Sequence, residues 1–269
     1  MPFVTEQAAT LPDGYRHIVL SPHLDDAALS CGGFIARATA LGEPVLVVNI
    51  CSGSPPPDTE FSPFAQSLHT RWGLPPATVV AHRRVEDAAA LGVLGADALL
   101  VPALDAIYRR PDVYADETKL FAVPASDDDL ADVVRTLIAS LTERYARASF
   151  YLPLGVGLHV DHQLVFSAAT AALLETGVSY AYYEDFPYAR QEAAVEQRMT
   201  MIGRERYTPR YVPLDEVLLT RKITAISAYV SQLGVLFGST AAMPAAVTEY
   251  AMRVAPQNMR YAERQWVRV

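Results

Sequence analysis

The chain has 269 residues, 51% of them hydrophobic, with 22 basic and 30 acidic side chains for a formal charge of −8 and a pI near 5.2. That length supplies a sizeable core in one large domain or two small ones, and the acidic balance argues against nucleic acid or an anionic membrane as the main partner. The N-terminal MPFVTEQAATLPDG lacks a basic n-region and an apolar h-region, no apolar run approaches membrane-spanning length, and Cys31 and Cys51 are isolated thiols without a CxxC. These features predict a soluble cytoplasmic protein that spans no membrane, with both thiols reduced.

Strand-like and helix-like runs alternate along the first two thirds. Nearly continuous apolar runs predict strands at His17–Ser21, Pro44–Cys51, Ala98–Pro102, Ser149–Leu154 and Ser179–Glu184, as expected of parallel strands buried on both faces. Helical patterns fall between them near Asp26–Leu41, Thr78–Leu94, Asp127–Ala146 and Gln163–Thr176. Ser126 and its three following aspartates read as an N-cap, and Gly42, Gly95 and Gly177 sit where C-caps belong. The alternation predicts an α/β fold, a Rossmann-like doubly wound, mostly parallel sheet with helices on both faces. Mid-helix Gly32 and Gly33 each cost about 1 kcal/mol relative to Ala, which a close approach to the sheet or site, or a kink, would explain. Residues 54–76, with Pro-Pro-Pro, Phe61, Phe64 and Trp72, are too long for an ordinary connection and fit a substrate wall or surface disorder equally. After residue 190 one amphipathic helix, Asp215–Leu233, is expected, then irregular sequence ending in YAERQWV, an appendage on the same domain.

Two clusters carry chemistry. In HIVLSPHLDDAALSCGG (17–33) a strand ends in His23, Asp25 and Asp26. If the helix starts near Leu24, His23 and Asp26 lie three apart on one side of its first turn, while Asp25 points about 100° away. One imidazole and one carboxylate can share a metal, with a second carboxylate free beside it, as catalytic zinc sites require. Alone, such a run is more often a plain helix start, with Asp capping backbone N–H groups. The second cluster, GLHVDHQ (157–163), repeats the arrangement: a strand, a glycine-bearing turn, His159, Asp161 and His162, then a helix. Both lie at carboxyl ends of strands, the first and the fourth. In the order 3-2-1-4-5-6 these are neighbours at the topological switch point where open α/β sheets bind ligands. A shared metal site accounts for both clusters. The absence of GxGxxG from the first strand–helix turn argues against a nicotinamide or flavin cofactor, and the absence of GxSxG against a serine hydrolase.

With HLDD at 23–26 and HVDH at 159–162, the chain resembles the LmbE-like, PIG-L-type family of zinc-dependent N-acetylglucosaminyl deacetylases. Gly32-Gly33 and RRVEDAAALGVLG (83–95) add to the likeness, which covers roughly residues 15–190 with weaker echoes at Ser231-Gln232. Leu24 and Val160 stand where the family usually has proline, and Ala27 where many members are acidic; none removes a ligand or the base. The resemblance implies His23, Asp26 and His162 as ligands of Zn²⁺, or another divalent ion such as Fe²⁺, since a His₂Asp set accepts several. It implies Asp25 as general base, His159 as the group that stabilises the oxyanion or protonates the leaving amine, and Asp161 as a residue orienting a histidine. Arg83 is implied as substrate-binding; an Arg83–Glu86 pair on an exposed helix face accounts for it equally well. The run YYEDFPYA (182–189) fits members acting on glycosylated natural products, or an edge strand with aromatic packing.

The expectation is therefore a metal-dependent hydrolase removing an N-acyl group, acetyl first, from a small-molecule amino-sugar or glycoconjugate substrate, with a homo-oligomer left open. An amidase acting on a thiol conjugate or a longer-chain N-acyl glycosylated metabolite is the alternative within enzymes. A non-catalytic carbohydrate-binding protein is the alternative outside them, though metal binding alone has no need of Asp25.

Overall fold

In the computed structural model, residues 2–269 are described, and among them eight strands form one sheet. They are β1 (Val4–Thr5), β2 (His17–Ser21), β3 (Val45–Asn49), β4 (Asp97–Leu100), β5 (Ser149–Pro153), β6 (Tyr180–Tyr183), β7 (Tyr207–Leu214) and β8 (Tyr261–Arg268). Their spatial order is β1-β4-β3-β2-β5-β6-β8-β7, parallel except where β8 pairs antiparallel with β6 and β7. The helices are α1 (Asp26–Ala40), α2 (Pro63–Trp72), α3 (Val79–Leu94), α4 (Ala106–Arg109), α5 (Glu117–Leu120) and α6 (Leu130–Arg144). Then come α7 (Val160–Thr176), α8 (Glu192–Ile202), α9 (Glu216–Ile226), α10 (Val230–Phe237) and α11 (Met243–Val254).

The five expected parallel strands are all present, in the expected order, each within two residues of its expected ends. Their residues are apolar because both faces are covered: Ile18, Val19, Leu20, Leu46, Val47, Val48 and Phe150 have no exposed surface. Right-handed crossovers run one way from β2 to β3 and the other way from β5 to β6. That reversal puts α1, α3 and α9 in one packed layer and α6 with α7 in the other. It also leaves the carboxyl ends of β2 and β5 side by side.

Several expectations change. Helix α1 starts at Asp26, as the helical pattern over Asp26–Leu41 predicts, and not at the Leu24 start that would put His23 and Asp26 together on its first turn. The reason is that Ser21 Oγ both donates to His23 O (2.7 Å) and accepts from Ala27 N (3.0 Å), holding residues 22–25 as a turn. Helix α6 starts at Leu130, not at a Ser126 cap, because Asp128 is taken by Arg109 and Tyr114 and itself receives Leu130 N–H (3.1 Å). Helix α7 starts at Val160, three residues early, with His159 as its cap. Within residues 54–76 lies a helix, α2, which Ser62 caps with Pro63 at its first position. The single helix Asp215–Leu233 is two, α9 and α10, broken at 227–229 where Glu86 of α3 captures Ser231 N and Oγ at 2.8 and 2.7 Å. The tail expected to be irregular holds helix α11 and strand β8, where Glu263 is buried against Lys222 (2.6 Å) and Arg264 is half-buried against Glu184.

Gly33 shows what the mid-helix glycines are for. A Cβ there would meet Leu214 Cδ1 at 2.6 Å and Glu263 Oε1 at 2.8 Å, so β7 and β8 can approach α1 only because the side chain is missing. Glu263 accepts from Gly33 N and Phe34 N, both at 2.7 Å. No single helix among the described residues is long and apolar enough to cross a membrane.

Candidate active site

Strand β2 delivers His23, Asp25 and Asp26 in a turn closed on itself, His23 N donating to Asp26 Oδ2 at 2.8 Å. Strand β5 delivers the second cluster through a strained turn, with Gly155 and Gly157 at φ 82° and 85° and Leu158, a non-glycine, at φ 66°. Such a left-handed leucine costs about 1–2 kcal/mol, a cost that clusters at functional sites. Gly157 is needed for a second reason: a Cβ there would lie 2.5 Å from the ring of Tyr188.

The structure brings every expected site residue together. His23 Nδ1 lies 3.3 Å from Asp26 Oδ2, His162 Nε2 lies 3.2 Å from the same oxygen, and the two nitrogens are 3.3 Å apart. Tetrahedral zinc with bonds of about 2.0–2.1 Å spaces neighbouring ligand atoms by about 3.3–3.4 Å. The donor set fits a metal. His159 is also close, the nitrogens of His23, His159 and His162 lying within 4.8 Å of one another. However, His159 Nδ1 accepts Asp161 N–H (3.2 Å), so a neutral ring carries its proton on Nε2 and offers a donor rather than a lone pair.

Each candidate ligand histidine is backed by a carboxylate. Asp161 Oδ2 receives His23 Nε2 at 3.0 Å, and Asp185 Oδ1 receives His162 Nδ1 at 2.7 Å. Asp161 thus orients the histidine of the other cluster. It is held by Arg109 Nη2 (2.6 Å) and Ala106 N (3.0 Å), and Asp185 by Gly155 N and Val156 N (2.7 and 2.8 Å). Asp105 stands 3.6 Å from His23 Nε2. Sequence reading missed Asp185, Asp105 and Arg109, which carry no spacing signal; only Asp185, closing an apolar strand, was findable by analogy with the first two clusters.

Electrostatics favour a cation. Arg83 lies 3.4 Å from Asp25 and Arg109 neutralises Asp161, which leaves Asp26, Asp105 and Asp185 around two imidazoles. Burial opposes a charged imidazole, yet Asp105, Asp161 and Asp26 hold His23 well above the usual histidine range, and Asp26 and Asp185 lift His162 to about 10. Burial pushes the Asp25 carboxyl up to about 7, with Arg83 pulling the other way. Burial and the neighbouring His23 hold His159 well below its usual range. Asp161 is held low because Arg109 and His23 outweigh its burial.

Arg83 and Glu86 do not form the exposed pair weighed above: both are buried, Arg83 beside Asp25 and under Trp72 (5.4 Å), Glu86 on Ser231. A cavity of about 530 Å³ opens over His23, Asp25, Asp26, His159 and His162. Its walls include Phe64 and Trp72 of α2, Phe121, Tyr188 and Leu236, with Arg71, Arg190 and Glu117 among its charged groups. Phe61 is turned away, packing on His69 and Tyr108.

Residues 18–173 match the family model described as PIG-L, GlcNAc-PI de-N-acetylase. The chain is similar to the 2'-N-acetylparomamine deacetylase of Streptomyces fradiae, 32% identical over 223 residues, 81% of this chain and 73% of that protein. It is 27% identical to the protein of the same name from Niallia circulans over 252 residues, 85% of each. Among solved structures, the zinc-inhibited form of teicoplanin deacetylase Orf2 matches with a TM-score of 0.80 at 32% identity, over 94% of this chain and 98% of that one. The A40926 pseudoaglycone deacetylase Dbv21 matches at 0.72 and 30%, over 96% and 98%. With the paired strand-end clusters, the switch-point site and a family match over more than half its length, the chain belongs to the PIG-L family of de-N-acetylases.

Proposed function

We propose that this protein is a metal-dependent N-deacetylase, a single domain acting on an amino sugar carried in a larger conjugate. The observation that carries the reading is the convergence of His23 Nδ1, Asp26 Oδ2 and His162 Nε2 at 3.2–3.3 Å on a cavity wall, with Asp25 beside them. These three would hold the ion, zinc first and ferrous iron second, and when bound it would acidify a water and polarise the amide carbonyl.

The chain's own groups supply the rest. Asp25, raised toward neutrality, takes the proton from the attacking water, since a base works best with a pKa near the operating pH. Arg83 holds the Asp25 carboxylate in place from 3.4 Å. The Nε2–H of His159 donates to the oxygen that becomes negative as the carbonyl carbon turns tetrahedral. When the C–N bond breaks, the amine leaves with the proton that Asp25 took up, and acetic acid, which keeps the other proton of the water, remains and ionises to acetate. Asp161 and Asp185 keep the two ligand rings in the tautomer and orientation a metal needs.

The cavity volume falls in the range of drug-sized ligands rather than that of a lone sugar ring, and its aromatic walls fit an aglycone. The names of the paromamine and teicoplanin deacetylases agree with an amino-sugar conjugate. The test is acetate release from N-acetylglucosamine and from its glycosides of increasing size. The kcat/KM should rise with the aglycone, because remote binding energy can lower the barrier. A flat series would remove the extended substrate, and absence of acetate from every member would remove the deacetylase.

A further inference from the structure

Gln232 is 4% exposed and lies on the cavity wall, at the third residue after the break that separates α9 from α10. Its amide is wired to a carboxylate through a hydroxyl. Ser231 donates both its N–H and its Oγ–H to Glu86, at 2.8 and 2.7 Å. A serine hydroxyl has one proton, so Oγ can only accept from its other neighbour. That neighbour is Gln232 Nε2, at 2.8 Å. The Gln232 side chain is therefore fixed in polarity: its NH₂ end faces Ser231, and the carbonyl oxygen Oε1 is left without a donor among the described residues. Glu86, which fixes it, stands one turn after Arg83 on α3, and Arg83 lines the same cavity with Nε unpartnered.

Resting on the deacetylase reading, we propose that Gln232 Oε1 is a specificity-determining acceptor for one hydroxyl of the sugar ring, with Ser231 and Glu86 as the residues that hold it in that role. An acceptor of fixed polarity in a buried wall selects a ligand group with a proton to give. A ring bearing the hydroxyl satisfies it, and a deoxy ring leaves the carbonyl unpaired. Sites built around a substrate hydroxyl reject the analogue lacking it far more strongly than apolar pockets reject a missing methylene.

The experiment is calorimetric binding of p-nitrophenyl N-acetyl-β-glucosaminide and its monodeoxy analogues. It is run on metal-loaded protein carrying Asp25→Asn, so that no turnover intervenes, with and without Gln232→Met, which is close in volume and cannot accept. With Gln232 present, one analogue should bind at least about tenfold more weakly than the parent, the scale of one buried hydrogen bond. Gln232→Met should weaken the parent by a similar factor and leave that analogue unchanged. Ser231→Ala, which frees the amide to turn, should narrow the gap between parent and analogue while leaving metal content the same. An equal loss for parent and all analogues would mean a merely structural residue and overturn the proposal, as would no loss or no binding. Failure of the unsubstituted protein to release acetate is read separately and strikes the deacetylase reading alone.

Discussion

Asp185→Asn is the sharpest test of how the candidate metal centre is held. Asp185 is 1% exposed and its two oxygens are fully committed: Oδ2 accepts Gly155 N–H and Val156 N–H, and Oδ1 accepts His162 Nδ1–H at 2.7 Å. Asparagine has one acceptor. The two backbone donors are fixed by the turn after β5, so the asparagine oxygen goes to them and its NH₂ faces His162 Nδ1. Two donors then oppose each other unless His162 moves its proton to Nε2. Nε2 is the atom that points at Asp26 Oδ2 and His23 Nδ1, and once protonated it has no lone pair for a metal. The loss is a hydrogen bond to a charged group, worth about 1.5–3 kcal/mol, or roughly 10- to 150-fold in metal affinity. Outer partners of metal ligands elsewhere cost about 10–100-fold. Competition against a fluorescent zinc chelator measures this directly, with circular dichroism as the control for folding, which Asn should preserve by keeping the bonds to Gly155 and Val156. A metal Kd within about twofold of the unsubstituted protein would refute the tautomer reasoning and with it His162 Nε2 as a ligand atom.

Asp25→Asn should keep its metal, measured by elemental analysis, and lose about 10²–10⁴ in kcat, the usual share of a general base; loss of metal there with retention in Asp26→Asn would reverse their roles. Lys222→Met leaves Glu263 buried without its cation and should lower the unfolding free energy in urea by about 3–5 kcal/mol, while adding Glu263→Gln should recover much of it. Burial raises Asp87 from 3.8 to about 6 against the hydrogen bonds from Tyr229 and Asn49, so the folded chain binds that proton more tightly than the unfolded chain. Stability from this group is therefore lost as pH rises through that window, by on the order of 3 kcal/mol. Asp87→Asn should flatten the fall in urea titrations, and parallel pH profiles for the two proteins would reject it.

The site was legible because each cluster is local: an apolar strand, a polar corner and a helix are contiguous in the chain, and the doubly wound order joins the two corners. What sequence could not show was whatever depends on a partner from afar. β7 carries Pro209 and Pro213, which argue against a strand, yet it is the edge of the sheet, where proline is tolerated. β8 looks irregular because Glu263, Arg264 and Gln265 are polar, and they are accommodated, Glu263 and Gln265 fully buried and Arg264 half-buried, only by meeting Lys222, Arg210 and Glu184. The break between α9 and α10 has no proline or glycine to mark it; Glu86 makes it from another helix. Asp105, Arg109 and Asp185 are single residues with no periodicity, and their roles exist only once β4, which leads into Asp105 and Arg109, lies in one sheet with β2, β5 and β6.

His23 and His162, which close on each other at 3.3 Å, are 139 positions apart in the chain. With both as ligands, the ion is a clasp across the seam between β2 and β5. An unfolded chain retains only the local pair His23 and Asp26; recruiting His162 would first cost about 4 kcal/mol of loop-closure entropy. The ion therefore sides with the folded state, adding about 4 kcal/mol at a thousandfold excess over its dissociation constant. On a scale where whole domains are stable by about 5–15 kcal/mol, that is a large share. Chelation should accordingly lower the melting temperature as well as stop turnover, and in a metal-starved cell the protein should be lost to proteolysis, its abundance tracking metal supply.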